Sequence, residues 1–284
     1  MTDAFPRGSI IRWVNDEPAI GFGAGRALLL QLAHPHVAAG VDEHSDFQHN
    51  PFKRLLGTLE AVYTMVYGSA ELADGVGRRV RWIHTFVRSS VYEANDPANL
   101  LWVHATLLDS ALDCYERLVR PLSGDEVETY YEEMAVVAER FGCPRSEQPA
   151  DYQAFRAYWD EQVRTIEVTD VGRRLARDVI EPVLPLKLHV PLKPLLEIQR
   201  TVAVGTLPEP IREGFGFPWD RRHQRRLDRL HRLARAYNRR VPRPVRVAPT
   251  HLQGRVLLSQ ARRHVAQFEA RMAAKDPLRA ASNS

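Results

Sequence analysis

The chain has 284 residues, 44% of them hydrophobic and 26% charged, with a formal net charge of +4 and two cysteines. These figures describe a soluble globular protein long enough to bury a sizeable core without staples. The wide separation of Cys114 and Cys143 speaks against a disulfide scaffold or a thiolate metal site, and the lack of a C-x-x-C-H run excludes covalent c-type haem attachment by signature.

In chain order, Ser9–Glu17 reads as a short irregular entry with Trp13 packed against the body. The stretch GFGAGRALLLQLAHPHVAAG, residues 21–40, sets Gly21, Gly23 and Gly25 ahead of an apolar helix from about Arg26 to Ala33. A dinucleotide fingerprint would need a preceding strand, G-x-G-x-x-G spacing and a following βαβ unit, and none is present. Close helix approach or the edge of a cofactor explains the glycines better. His34-Pro35-His36 ends or kinks this helix. Residues 41–51 then form a polar connection carrying His44 and His49.

Phe52–Gly68 reads as a helix with Pro51 near its start. Arg54, Gly57, Thr58 and Ala61 share one of its faces by three- and four-residue spacing. That face combines a cation, a hydroxyl and two very small side chains. It either leaves room for something or packs closely through Gly57 with Arg54 in a surface ion pair.

Glu71–Glu93 and Pro97–Leu118 read as two helices broken at Asn95-Asp96-Pro97, each with one histidine in an apolar setting. On the first, Val80, Ile83, Val87 and Val91 recur at helical spacing, and His84 stands at the edge of that face. The second is apolar nearly all round apart from His104, Thr106, Asp109 and Ser110, the pattern of a helix surrounded by others. Two such histidines suit a cofactor pocket. A lone histidine on an apolar face is nevertheless more often a hydrogen-bonded core residue than a ligand, and spacing alone assigns neither a role.

Ser123-Gly124-Asp125-Glu126 is a capping-box pattern that opens a helix running to about Phe141. Further helices are expected over about Ala150–Glu167, with Tyr152, Phe155, Tyr158 and Trp159 as its aromatic side, over Val171–Val179 and over Leu195–Leu207. Prolines punctuate 182–194 as a crossing or short-helix region, and 208–217 reads as a turn-rich link. Asp220–Arg240 is an arginine-rich helix, and the end frays from Ala273. Strand signals are nearly absent and no long repeat recurs. The expected fold is a single all-α domain, a multi-helix bundle spanning 1–284. No run of about 18 apolar residues is present, so no membrane span is expected. The N-terminal stretch lacks a secretory pattern, which gives a cytoplasmic expectation.

None of the eleven histidines has a glutamate three positions earlier, so the paired Glu-x-x-His of di-iron bundles is missing. H-E-x-x-H, Gly-x-Ser-x-Gly and Walker patterns are missing too. A b-type haem remains compatible, because it needs only an axial histidine, a flat apolar slot and cations for its propionates. Arg26, Arg54, Arg78, Arg81 and Arg88 are the arginines in reach of such a slot.

The runs GAGRALLLQLAHPHVAAGVDEHSDFQHNPFKRLLGT, VRWIHTFVRS and LLWVHATLLDS resemble the latex-clearing protein / MpaB-type oxygenase family over about residues 10–245. The resemblance implies an all-helical protein with a globin-like core that binds haem b non-covalently and uses dioxygen. It places His84, within V-R-x-x-H, as the proximal iron ligand. Arg54 and Thr58, of R-x-x-x-T, match the family's distal arginine and threonine. Gly57 stands where latex-clearing proteins carry an iron-capping lysine. The family's distal glutamate has no match, with Glu43 and His44 as candidates by proximity only. His104, in W-V-H-A-T, is given a structural or supporting part at the cofactor.

The reading that follows is a haem b-dependent oxygenase acting on a small lipophilic or isoprenoid-like substrate with dioxygen, with an electron donor as a further partner. A haem-binding sensor or carrier without turnover is the alternative. A helical nucleic-acid-binding protein is the weaker one, motivated by eleven arginines against two aspartates in Asp220–Arg246.

Overall fold

In the computed structural model, described for residues 2–44, 51–89, 91–182 and 186–274 and without the side chains of 51–56, 186, 188 and 189, the chain enters through a short helix, α1 (Ile10–Asn15). A 3-10 turn over Pro18–Phe22 leads into α2 (Gly23–Ala33), the helix on which the rest is built. Arg26, Ala27 and Leu29 through Ala33 of α2 are all buried. A helix apolar on every side has to be surrounded. Here α3 (Pro35–His44), α6 (Pro97–Leu118), α9 (Asp170–Ile180) and α10 (Leu186–Gly205) do so.

Gly23 and Gly25 have the packing role expected of the glycine run, whereas a Cβ on Gly21 would meet nothing within 4 Å among the described residues. A Cβ on Gly23 would stand 3.0 Å from the Ser110 carbonyl oxygen of α6, and one on Gly25 would stand 2.9 Å from the Gln199 side chain of α10. Missing side chains at these two positions let both helices approach α2.

Between α3 and α6 come α4 (Pro51–Tyr67) and α5 (Ala70–His84), packed on one another and linked through Gly68-Ser69. After α6 follow α7 (Gly124–Phe141) and α8 (Tyr152–Thr165), then α9 and α10. The chain ends with a short α11 (Glu209–Gly214), α12 (Arg221–Arg240) and the long α13 (Arg243–Ala274). Among the described residues no strand forms, only two isolated bridges. The protein is all-α, as expected.

Local chemistry sets the ends. Asp96 caps α6 through the Ala98 N–H with Pro97 at its first position, and the capping box at Ser123 and Glu126 forms with both of its hydrogen bonds. Phe155 and Trp159 of α8 are buried, with Trp159 stacked on Trp102 at 5.5 Å. Both cysteines are free and buried.

Several boundaries differ from expectation. The first histidine helix stops at His84 rather than Glu93. Tight turns follow, with the Val87 N–H donating to the His84 carbonyl at 3.0 Å, and the Asn95 side chain takes the Arg81 carbonyl at 3.0 Å. Residues 41–44, expected to open a polar connection, belong instead to a helix over Pro35–His44, because Pro35 starts a second helix as well as ending the first. Helix α10 begins nine residues before the expected Leu195 and carries Pro191 and Pro194 inside it.

Candidate active site

Helices α2, α4, α6, α7 and α13 leave a cavity of about 240 Å³ between them. Its wall is mostly apolar. Ala24, Ala27 and Leu28 come from α2, Leu59, Val62 and Val66 from α4, Leu107 and Ala111 from α6, Met134 from α7 and Leu257 from α13. That size exceeds the roughly 150 Å³ of a dry engineered cavity that takes up benzene. The chamber therefore suits a small lipophilic molecule.

Polar side chains also line it, among them Asn15 and the buried Glu17, whose carboxylate pairs with Arg246 at 2.7 Å. Gln31 donates to Thr106 Oγ1 at 3.2 Å. Ser110 accepts from Arg26 Nη1 at 2.8 Å. The Tyr67 hydroxyl donates to Asp16 at 2.9 Å; burial, with this carboxylate beside it, holds the phenol far above its ordinary pKa and hence neutral. Tyr130 is fully buried, and burial raises its pKa as well. The Asn15 side chain approaches the Tyr130 hydroxyl, but no hydrogen bond of sound geometry reaches it.

Of the residues expected at a site, Thr58 lies on this wall. Gly57 beside it is exposed, and a Cβ there would meet nothing within 4 Å among the described residues. The α4 backbone places Arg54 one turn before Thr58, but its side chain lies outside the described residues. Glu43 and His44 stand at the exposed end of α3, and His49 also lies outside the described residues.

His84 is partly buried on the last turn of α5, with its Nδ1 buried, and is not on the cavity wall. Because α4 and α5 are joined by two residues and packed together, Arg54 and His84 both lie roughly 22 Å from that link, at about 1.5 Å per residue. The backbone thus brings them to the same end of the helix pair. His104 is buried, and desolvation lowers its pKa to about 4, so its imidazole is neutral. Its Nε2 has no partner among the described residues. Arg81 and Leu100, each one turn ahead of one of the histidines, both pack on Gly142. That shared contact brings the His84 end of α5 and the His104 end of α6 into one neighbourhood.

Arg26 is held inside the core. It pairs with Asp109 at 2.6 Å, donates to the Thr206 carbonyl at 2.9 Å and lies 5.9 Å over Trp159. Arg81 donates to the Arg140 carbonyl and Arg78 pairs with Glu269. Among the described residues no cluster of three His, Cys, Asp or Glu is arranged to hold a bare metal ion.

A haem is a different case, since it asks for one imidazole rather than a cluster. Two half-buried to buried imidazoles with buried ring nitrogens, one of them neutral, fit that requirement in kind. The cavity itself has no histidine on its wall.

Sequence reasoning missed Tyr130, Gln31, Ser110 and the α13 residues Thr250 and Gln253 on the wall. Tyr130 sits on the apolar face of an amphipathic helix, where an aromatic reads as core.

Residues 11–236 match the family described as ER-bound oxygenase mpaB/B′/rubber oxygenase, catalytic domain, and the chain belongs to that family. Two curated relatives, uncharacterized proteins of Mycobacterium tuberculosis and Mycobacterium bovis, are each 29% identical to it over 226 residues, covering 76% of this chain and 87% of theirs. No solved structure matches.

Proposed function

We propose that the protein is a haem b-dependent oxygenase that acts on a small lipophilic, isoprenoid-like molecule held in the α2–α4–α6–α7–α13 chamber. The observation that carries the reading is the position of Thr58: the threonine of the R-x-x-x-T run opens onto an apolar cavity of ligand size. Bound haem would supply dioxygen activation.

The chain's own residues would divide the remaining work. His84 would hold the iron through its imidazole, and His104, neutral at physiological pH, would brace the cofactor's edge without adding charge. Arg54, one turn before Thr58 on α4, would supply a cation beside the cofactor. Thr58 would hold a water or a proton at its hydroxyl, between cofactor and substrate. Gly57 keeps that approach open. Arg26, fixed by Asp109, would act by holding Ser110 on the wall. The apolar lining would exclude bulk water and select against charged molecules.

The test is an absorption spectrum of purified protein with haem quantified by pyridine extraction, followed by dioxygen-dependent turnover with a reductant. About one haem per chain, lost in His84→Ala with helicity retained, is expected, and Thr58→Ala should keep haem and lose turnover. A protein that refuses added haemin overturns the cofactor assignment. Stoichiometric haem without product under dioxygen and reductant would favour a sensor or carrier.

A further inference from the structure

Eleven arginines lie between Asp220 and Arg246, and the structure divides them. Arg226 pairs with Glu197 at 3.1 Å, and Arg235 donates to the Glu116 and Arg117 carbonyls. Arg243 and Arg246 pair with Asp16 and Glu17. These four fasten α12 and α13 to the body.

The other seven, at 221, 222, 225, 229, 232, 239 and 240, are all exposed on α12, and none enters an ion pair among the described residues. At 3.6 residues per turn they fall in a stripe about 100° wide, centred opposite the buried Leu227 and roughly 28 Å long. The one acid within the helix, Asp228, lies at the edge of the stripe and accepts from Gln224 at 2.9 Å.

Large apolar side chains border the stripe on one flank. Leu233 and Tyr237 are 57% and 54% exposed, on the side where Arg226 reaches α10. On α10, two turns from Glu197, Val190 is 64% exposed. Cations in a row with leucine and tyrosine along one side match the boundary between phosphate headgroups and acyl chains. A nucleic acid would meet the cations equally well, but it gives the exposed leucine nothing to bury against.

We propose that this face of α12, with its flank on α10, docks the protein onto a membrane surface rich in anionic lipid. The arginines meet lipid phosphates while Leu233 and Tyr237 enter the headgroup region. No helix among the described residues is long and apolar enough to cross a membrane, so the association is peripheral. The assignment is independent of the oxygenase reading and uses no cofactor.

The test is co-sedimentation of the full chain with phosphatidylcholine vesicles, with and without phosphatidylglycerol, at low and moderate salt. Binding is expected only with phosphatidylglycerol and should weaken as salt rises. Arg225→Gln/Arg229→Gln/Arg232→Gln should bind roughly a hundredfold more weakly, at about a factor of five per cation. Leu233→Ser/Tyr237→Ser should weaken vesicle binding while leaving any retention on duplex DNA unchanged. All five positions are exposed, so unchanged thermal melting is expected of both variants. Equal recovery on both vesicle types, wild-type binding by either variant, or tighter binding to duplex DNA than to the anionic vesicles at the same salt would overturn the proposal.

Discussion

Glu60 of α4 and His264 of α13 meet at 2.9 Å, so the helix that carries Thr58 is tied to the long C-terminal helix through a buried carboxylate. Removing the imidazole leaves that carboxylate without its partner. His264→Ala should cost about 1–3 kcal/mol, the usual penalty for an orphaned buried polar group. Urea unfolding of His264→Ala, Glu60→Gln and the double variant would measure the coupling. Strict additivity of the two single changes would show that the contact contributes nothing.

The Arg26–Asp109 pair at 2.6 Å is more deeply buried and is shared with Arg156 at 2.9 Å. Taking away one member strands a charge in the core. Asp109→Ala should destabilise by about 3–5 kcal/mol, whereas Arg156→Ala, at the exposed end of the network, should cost about 1 kcal/mol or less. Comparable losses from the two would put the weight of the network at the surface instead.

His34 and His104 both have pKa values lowered to about 4 by burial, with His36 adding to the effect at His34. In the unfolded chain each titrates near 6.5. Their contribution to stability is therefore complete above about 6.5 and is lost as pH falls towards about 4, because the unfolded state takes up protons that the folded state refuses. Unfolding free energy should fall by up to about 1.4 kcal/mol per pH unit for each histidine in that window. His104→Leu should flatten the slope by one proton. An unchanged slope would mean that His104 is protonated in the fold.

Tyr130 belongs to the chamber wall, and its buried hydroxyl, which a bound molecule reaches only if the ring shifts, has no hydrogen bond of sound geometry among the described residues. Tyr130→Phe should leave stability within about 0.5 kcal/mol, since no protein hydrogen bond is broken. It should weaken binding of butyrophenone, whose carbonyl can accept from that hydroxyl, and leave butylbenzene unaffected. Equal loss for both ligands in calorimetric titration would assign Tyr130 a packing role only.

Much of the helical frame is legible in the sequence, because caps and apolar periodicity act locally. Asp96-Pro97 and the Ser123 capping box sit where the helices begin. The misreadings have local physics behind them as well. Pro35 reads as a stop but also starts a helix, and the apolar run through Val87 and Val91 conceals the Asn95 side chain that takes the Arg81 carbonyl where α5 closes early. Prolines 191 and 194 lie inside α10, where proline usually argues for a break. The chamber was not legible. Its wall draws on helices more than two hundred residues apart, from Ala24 to Thr250, so no spacing rule describes it. Thr58 was found through resemblance, and Tyr130 only once the helices were assembled.

Helix α13 begins at Arg243, seven residues beyond the family-matched segment, yet Thr250, Gln253 and Leu257 close one side of the chamber. Gly254 faces the Tyr63 ring, so even a methyl group there would displace the aromatic side chain and move the wall. Substitutions along this C-terminal helix would therefore reshape one side of the chamber and, through Tyr63 and the Glu60–His264 contact, shift the helix that bears Thr58 as well.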